Sequence, residues 1–243
     1  VHWFSMIVQP TQSNQSRFLL HVDYPLLDNL DVAVYSQVGS KPKVTFSSGD
    51  SKRFHDRHIA HVKPLFPLPA SAQSQRVIIR VQTSGNIRLP IRIWQETEFI
   101  EYTSTRNLVL GIFFGVLLAM GVSNAFLTVT TKNASFLFYS GYVINLALIL
   151  MTLHGYGFSY IWPESSWFQS KAIIVFANAT IMFAALFTRS LLPIKDYSHK
   201  LDRMTKAISW VCGLSIIAGM VLPYWLMIKA FLLLLSLVVI FVL

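Results

Sequence analysis

The polar stretch "SSGDSKRFHDRH" at residues 47–58 collects most of the side chains in this sequence that could do chemistry. His55, Asp56 and His58 are residue types that ligate metals, but three residues in one polar stretch do not make a closed ligand set. The pattern favours a solvated turn with local ion pairs, and we predict no metal site. Arg57 leaves two alternatives open, because a guanidinium either holds a sheet edge by hydrogen bonds or clamps a carboxylate or hydroxyl of a ligand.

No catalytic constellation accompanies this loop. The sequence shows no paired acids beside a cleft, no nucleophile with a positioned base and no phosphate-binding loop, since "GIFFG" at 111–115 lacks a following Lys-Ser/Thr. We therefore expect these residues to form no enzyme and to bind no cofactor. The single cysteine, Cys212, lies inside an apolar run, so no disulfide can form within the chain.

The elements that position the loop follow from the distribution of charge, which divides the chain into two regions. Residues 1–105 carry 19 charged side chains, whereas residues 106–243 carry 12 and contain five long uncharged runs. A helix that crosses the hydrocarbon core needs about 20 mostly apolar residues. We predict an extracytoplasmic domain over 1–105 and a helical membrane domain over 106–243, with helices near 108–129, 136–158, 172–192, 207–226 and 227–243.

The basic residues predict the orientation of these helices. Short cytoplasmic loops carry the excess of Lys and Arg, and six basic residues fall in the loops on one side: Lys132, Arg189, Lys195, Lys200, Arg203 and Lys206. This placement explains most of the net charge of +9 without a nucleic-acid partner. It puts the 189–206 loop in the cytoplasm and residues 1–105 in the periplasm.

The stretch "HGYGFSYIWPESSW" at 154–167 then falls on the outer side, at the end of the second helix. Tyr and Trp favour the membrane interface, where the ring lies among headgroups and its polar edge meets water. We predict that Tyr156, Tyr160, Trp162 and Trp167 are interface anchors.

Residues 1–105 are predicted to form a β-sandwich. In "IRLPIRIW" (87–94) apolar residues alternate with other residues, as in a half-buried strand, and Pro90 indicates a sheet edge. Further strands are predicted at 17–22, 31–38, 43–46, 61–68 and 76–81, with turn residues between them, and no helix of three turns is predicted before Arg106. Asn14 begins a glycosylation sequon in form.

The predicted membrane helices contain glycine and asparagine residues at positions that could mediate contacts between helices. Gly111 and Gly115 have the spacing that allows close helix approach, and we favour packing within the bundle over dimerisation. Asn124, Asn145 and Asn178 lie one in each of the first three helices. They form either a polar clasp between helices or a switch element.

The order of these features resembles a known family. "GD…R" (Gly49, Asp50, Arg57), "PLFPL" and "WQETEFIEY" precede "GIFFGVLLAMGVSNAFLTVTTKNASFLFYS", then "HGYGFSYIWPESSW" and "FTRSLLPIKDYSHKLDRMTK". Together they resemble the bacterial seven-transmembrane receptors with diverse intracellular signalling modules (7TMR-DISM), in the form that carries the type 2 extracellular domain.

The resemblance implies a jelly-roll-like sandwich that binds carbohydrate or another small ligand, with Asp50 and Arg57 as the matching ligand positions. We expect a sensory receptor of the inner membrane, with membrane lipid and a second copy of the chain as further partners. The resemblance also implies seven helices and an output module such as a diguanylate cyclase or histidine kinase, so we expect a chain truncated from that pattern. The alternatives are a transporter or its accessory subunit, and a membrane-anchored binding module.

Overall fold

The computed structural model describes residues 1–9, 17–36, 41–192, 196 and 198–242. Contacts divide the chain into two compact units, each made of two segments. The first unit comprises Val1–Leu108 and Leu153–Ser170, and the second comprises Val109–Thr152 and Lys171–Leu243. The predicted sequon at Asn14 and the basic residue Lys195 lie outside the described residues.

The first unit contains two antiparallel sheets, which we call sheet A and sheet B. Sheet A has four strands in the order β1–β6–β3–β4, formed by His2–Val8 (β1), Gln75–Gln82 (β6), Asn29–Ser36 (β3) and Pro42–Ser48 (β4). Sheet B has three strands in the order β5–β2–β7, formed by Leu65–Leu68 (β5), Phe18–Val22 (β2) and Ile91–Gln95 (β7). The predicted sandwich followed by a helical membrane bundle is confirmed.

Alternation along the strands builds one core shared by both sheets. In β3 the buried Leu30, Val32 and Val34 alternate with the less buried Asp31, Ala33 and Tyr35. The buried residues of β3 and β6 share a cluster with Leu20, Val22 and Phe66 of sheet B. Because successive side chains of a strand point to opposite faces, the second set of β3 residues lies on the outer face of sheet A.

Two strand predictions need correction. β1 was not predicted, because "HWFSMIV" alternates poorly and its residues remain mostly exposed at the edge of sheet A. The strand predicted over 87–94 begins only at Ile91, after Pro90, and Ile93 remains 38% exposed. The edge position predicted from Pro90 agrees with the place of β7 at one edge of sheet B.

Five α-helices are described: Glu96–Thr131 (α1), Ala134–His154 (α2), Ser166–Leu191 (α3), His199–Val221 (α4) and Tyr224–Val242 (α5). Within the described residues, α1 to α4 are long and apolar enough to cross a membrane, and α5 contains a shorter apolar stretch, Tyr224–Val239. Two short helical turns lie in loops, a 3₁₀ turn at Phe54–Asp56 and a π turn at Gly157–Ile161.

Several helix boundaries differ from the prediction: α2 ends at His154 rather than 158, α3 begins at Ser166 rather than 172, and α4 ends at Val221 rather than 226. α1 begins at Glu96, ten residues before Arg106, whereas the prediction placed no helix of three turns before Arg106 and started the first helix near 108. α4 begins at His199 rather than near 207, and Asp202 in its first turn accepts from Arg189 and Lys206, each at 2.7 Å. The break before α5 falls at Pro223, where a proline cannot continue the hydrogen-bonding of α4.

The close helix contacts in the second unit are not at the predicted glycines. A Cβ on Gly111 or Gly115 would have no atom of the described residues within 4 Å. A Cβ on Gly121 would lie 2.9 Å from Ile144, and one on Gly141 would lie 2.5 Å from Phe183. Tight packing therefore depends on the glycines at 121 and 141.

The predicted amide clasp is also not formed by the described residues. The side-chain amides of Asn124, Asn145 and Asn178 each donate to the carbonyl four residues earlier in their own helix. Hydroxyl groups link the helices instead: Ser140 donates to the carbonyl of Gly121 at 2.7 Å, and the hydroxyls of Ser135 and Ser190 are 2.8 Å apart.

Candidate functional site

The candidate site lies within the first unit, where the loop of residues 49–63 meets the loop of residues 155–165. The 49–63 loop begins at Gly49, which has a φ of +149°. A Cβ added at this position would lie 2.1 Å from the carbonyl oxygen of Asp28, so only glycine fits there. The amide of Asp50 donates to the carbonyl of Leu27 at 2.9 Å. These contacts fix the start of the loop on the sandwich.

Asp50 is almost fully buried, with 9% of its surface exposed. Burial and, to a smaller extent, the negative charge of Asp28 raise the pKa of its carboxyl, the positive charge of Arg57 opposes them, and the resulting pKa is about 7. The carboxyl is therefore mostly protonated below pH 7 and mostly ionised above it. A buried group with such a pKa is typical of functional sites, although structural networks produce the same effect.

Arg57 is buried within the contact between the two loops, with 8% of its surface exposed. Its Nη1 donates to the carbonyls of His61 at 2.9 Å and Val62 at 3.2 Å. Its Cζ lies 4.9 Å from the ring centre of Phe54 and 5.6 Å from that of Phe158, within the range of cation–π attraction. Burial lowers the pKa of Arg57 to about 10, and Asp50 opposes that shift.

Of the two alternatives for Arg57, the observed hydrogen bonds are those of a residue that holds local structure. Its guanidinium joins the 49–63 loop to itself and to the 155–165 loop, and its buried Nε has no hydrogen-bond partner. Asp50 and Arg57 make no ion pair with each other, and neither is exposed enough to meet a ligand directly in this arrangement. Their predicted role in ligand binding stays a prediction.

The 155–165 loop completes the contact with one hydrophobic side chain and two close backbone approaches. Phe158 is 2% exposed and meets Phe54 edge-on, with ring centres 5.9 Å apart. The amide of Phe54 donates to the carbonyl of Pro163 at 3.0 Å. Gly155 has φ +86°, and a Cβ there would lie 2.5 Å from the carbonyl oxygen of Val62.

Charged groups rim this contact. Glu164 lies 3.4 Å from His55 and 3.9 Å from Arg53, and all three side chains are more than half exposed. Exposed pairs of this kind contribute roughly 0–1 kcal/mol each. Burial of the apolar rings of Phe54 and Phe158 therefore contributes more to the stability of the contact than these pairs do.

A buried polar cluster adjoins the same loop at residues 61–63. Lys63 donates to Asp23, and Arg106 of α1 lies 3.6 Å from the same carboxylate. His21 is fully buried, and neither ring nitrogen has a hydrogen-bond partner. Burial lowers the pKa of His21 to about 4, although the charge of Asp23 opposes that shift.

The ring of Phe99 in α1 closes this cluster. Its centre lies 5.3 Å from that of His21 and 5.2 Å from that of His61. On the adjoining side Trp94 of β7 stacks on Tyr102 of α1 at 4.8 Å. The first turns of α1 are thus packed against sheet B and form a folded part of the sandwich unit.

The four predicted interface residues divide into two pairs. Tyr160 and Trp167 are 73% and 57% exposed, as a lipid-facing ring would be. Tyr156 instead donates from its hydroxyl to Asn107 at 2.6 Å, and the indole of Trp162 donates to Gln169 at 2.8 Å. Their role as membrane anchors stays a prediction.

Sequence reasoning missed Phe158, Gly155 and His21 as site residues. The signal for the first two was the pair of glycines in "HGYGF" at 154–158, one of which is Gly155 and the other of which directly precedes Phe158. A histidine within the apolar strand "FLLHV" was the signal for the third. The contact between residues about 100 positions apart has no signature in a single sequence.

The sandwich and the long apolar helices together define a multi-pass membrane protein with an attached β-sandwich domain. Two family descriptions match the chain: "7TM diverse intracellular signalling" over residues 106–243 and "7TMR-DISM extracellular 2" over residues 1–95. The chain belongs to the 7TMR-DISM family. No curated protein and no solved structure matches it.

Proposed function

We propose that the chain is the sensing and membrane part of a bacterial inner-membrane receptor with its sandwich in the periplasm. The sandwich binds a small ligand, of which carbohydrate is the class that the family suggests. The helices pass the change to a cytoplasmic output module of the diguanylate cyclase or histidine kinase type, so catalysis belongs to that module. Lipid and a second copy of the receptor are its further proposed partners, and nucleic acid is not.

The observation that carries this proposal is the contact of Arg57 with both loops. The 155–165 loop follows α2 and precedes α3, so a displacement of the 49–63 loop reaches two membrane helices through one short segment. The sandwich is also continuous with a third helix, because α1 begins directly after β7 and packs through Phe99 and Tyr102. A binding module that was merely anchored would need only one connection.

The mechanism requires two arrangements of this contact. A ligand shifts the equilibrium between them only by its difference in affinity for the two. Arg57 is suited to such a switch because its buried Nε has no hydrogen-bond partner. The unpaired donor raises the free energy of the present arrangement and so narrows the gap to an alternative packing in which Nε is paired.

The test compares Arg57→Ala with the matched control Arg53→Ala, whose side chain is exposed on the same loop. The full chain is placed in lipid nanodiscs, and hydrogen exchange is measured at the amides of residues 136–152 and 172–190. We expect faster exchange in these helix segments for Arg57→Ala and no change for Arg53→Ala. Unchanged exchange in both would contradict transmission through the loop contact, and solute flux in proteoliposomes would favour a transporter.

A further inference from the structure

The outer face of sheet A carries a groove that is separate from the loop contact. The groove encloses about 710 Å³, within the range of ligand sites in proteins. Its floor is formed by Ala33, Thr45 and Ile78, which are neighbours in the β-ladder register. The small side chain of Ala33, at the centre of the floor, produces the depression.

Two aromatic residues stand at opposite ends of this floor. Trp3 is paired with Arg80, which is itself paired with Asp31, and Tyr35 lies four residues further along β3. At about 3.3 Å per residue this places Tyr35 roughly 13 Å from the Asp31 row. The indole of Trp3 is 66% exposed, so a large aromatic surface is available to a ligand.

A prearranged polar pair lies in the same row of the sheet as Trp3, at the end of the floor away from Tyr35. The guanidinium of Arg80 donates to Asp31 at 2.7 Å and to Gln82 at 3.0 Å, and the hydroxyl of Ser47 also donates to Asp31. Burial raises the pKa of Asp31, but the hydrogen bonds from Ser47 and Arg80 lower it more, so the carboxylate is ionised. The side chains of Arg80 and Asp31 remain 34% and 38% exposed.

This pair suits a ligand with adjacent hydroxyl groups. A diol donates one hydrogen bond to the carboxylate of Asp31 and accepts another from the guanidinium of Arg80, and charged partners make both bonds stronger than neutral ones. The aromatic surfaces of Trp3 and Tyr35 pack against the C–H faces of a saturated ring. Hydroxyls beside an apolar ring face are the defining chemistry of a pyranose.

The charges around the groove indicate whether the preferred sugar ligand is neutral or charged. Lys52 donates to Ser47 beside the groove, Arg76 lies opposite Tyr35 in the register, and Lys43 extends from β4. Asp31 is the only acidic residue of strands β1, β3, β4 and β6, and it is already paired with Arg80. The face therefore has an excess of positive charge that attracts an anionic ligand.

We propose that the outer face of sheet A binds an acidic oligosaccharide, with sugar rings against Trp3 and Tyr35 and hydroxyls on the Asp31–Arg80 pair. This inference rests on the proposed function in that it assigns the ligand site of the proposed sensor. It places that site away from Asp50 and Arg57, on the opposite side of β3 from the core.

The test measures binding to the full chain in nanodiscs. A panel of uronic-acid trisaccharides is compared with the same trisaccharides after their carboxyl groups are reduced to alcohols. We expect at least one acidic trisaccharide to bind, its reduced counterpart to bind about tenfold more weakly, and the difference to shrink at about 0.5 M salt as screening increases. Absence of binding across the acidic panel, or equal binding of the reduced forms, overturns the proposal.

Variants then locate the site. Trp3→Ala and Asp31→Asn are each expected to weaken binding about tenfold, because they remove an aromatic surface and a charged acceptor. Trp167→Ala serves as the matched control, being an exposed tryptophan outside the groove. Retained affinity in both groove variants, with sheet A shown folded by protected β3 amides, overturns the assignment.

One further variant separates this proposal from the receptor function. Arg57→Ala is expected to keep the groove intact, because its side chain does not line it, but to change trisaccharide affinity by linkage if Arg57 sets the equilibrium between the two arrangements. Binding without altered helix exchange would contradict the receptor mechanism alone. Altered helix exchange with no binding to the acidic panel would contradict the groove alone.

Discussion

Replacing Asp50 with Asn should reveal two opposed dependences of stability on pH. The folded-state pKa of Asp50 is about 7 and its ordinary value is 3.8. Between these values the unfolded chain has released a proton that the folded chain retains, so stability falls as pH rises. The slope is about 1.4 kcal/mol per pH unit, which gives about 4 kcal/mol across the window.

His21 acts in the other direction. Its folded-state pKa is about 4 and its ordinary value is 6.5. As pH falls from 6.5 to 4 the unfolded chain takes up a proton that the folded chain does not, so stability is lost on acidification, by about 3 kcal/mol. His61, whose pKa is also lowered by burial, adds to the same loss.

The two effects overlap between pH 4 and pH 6.5, so the unchanged protein should show a weak pH dependence there. Asp50→Asn removes the fall in stability that deprotonation of Asp50 causes. The free energy of unfolding of this variant should then rise by about 3 kcal/mol between pH 4 and pH 6.5, because only the contribution of His21 remains. The assay is urea denaturation in nanodiscs with 5-fluorotryptophan incorporated, following the ¹⁹F signal of Trp94. Asp56→Asn is the control, since Asp56 is exposed on the same loop.

The reasoning would be refuted if Asp50→Asn and the unchanged protein gave parallel profiles from pH 4 to pH 7. Such a result would mean that the carboxyl of Asp50 is ionised in the folded sandwich. A changed slope in Asp56→Asn would also contradict the assignment to the buried carboxyl.

Three further predictions concern the loop contact and α1. Phe158→Ala should destabilise the loop contact by about 3–5 kcal/mol, because a buried ring is lost. Tyr160→Ala should have little effect, because Tyr160 is exposed. The rate of proteolysis within the 155–165 loop measures both effects. Gly155→Ala should lower the melting temperature, because φ is positive and Val62 blocks a Cβ, whereas Gly111→Ala should not, and equal effects would contradict this explanation. A Gly/Ser insertion after Glu101 should interrupt α1 and uncouple signalling in a full-length receptor, and unchanged signalling would argue against transmission through this helix.

Strands and apolar helices could be predicted where a local pattern determines the structure. Alternation in "DVAVYSQV" and "RVIIRV" reports burial on one face and locates β3 and β6. Runs without charge locate most of α1 to α3, because lipid tolerates few charges. Each of these signals is confined to the element itself.

The start of α1 could not be predicted, because its stability depends on tertiary contacts and not on a local sequence pattern. "ETEFIEYTST" at 96–105 has a weak helical pattern, and this part of the helix packs through Phe99 against His21 and His61, which are distant in the sequence. β1 lies at an exposed sheet edge, where burial imposes no alternation.

The candidate site was accessible only in part. Residue types singled out Asp50 and Arg57, but Arg57 is buried next to Phe158, which lies about 100 residues away in the sequence. The groove was missed because its residues come from four strands, and register rather than sequence order brings Trp3, Arg80 and Asp31 into one row.

α1 is a continuous helix from Glu96 to Thr131, so the number of residues in it determines the direction in which the residues after it face. Its 36 residues form a rod of about 54 Å with no proline along its length. Adding a single alanine anywhere in it would turn everything downstream by about 100° and advance it by about 1.5 Å, whereas adding seven would restore nearly the original facing. Insertions of about seven, eleven or eighteen residues, which bring the downstream facing back to within about 20°, should therefore be tolerated better than insertions of one or two.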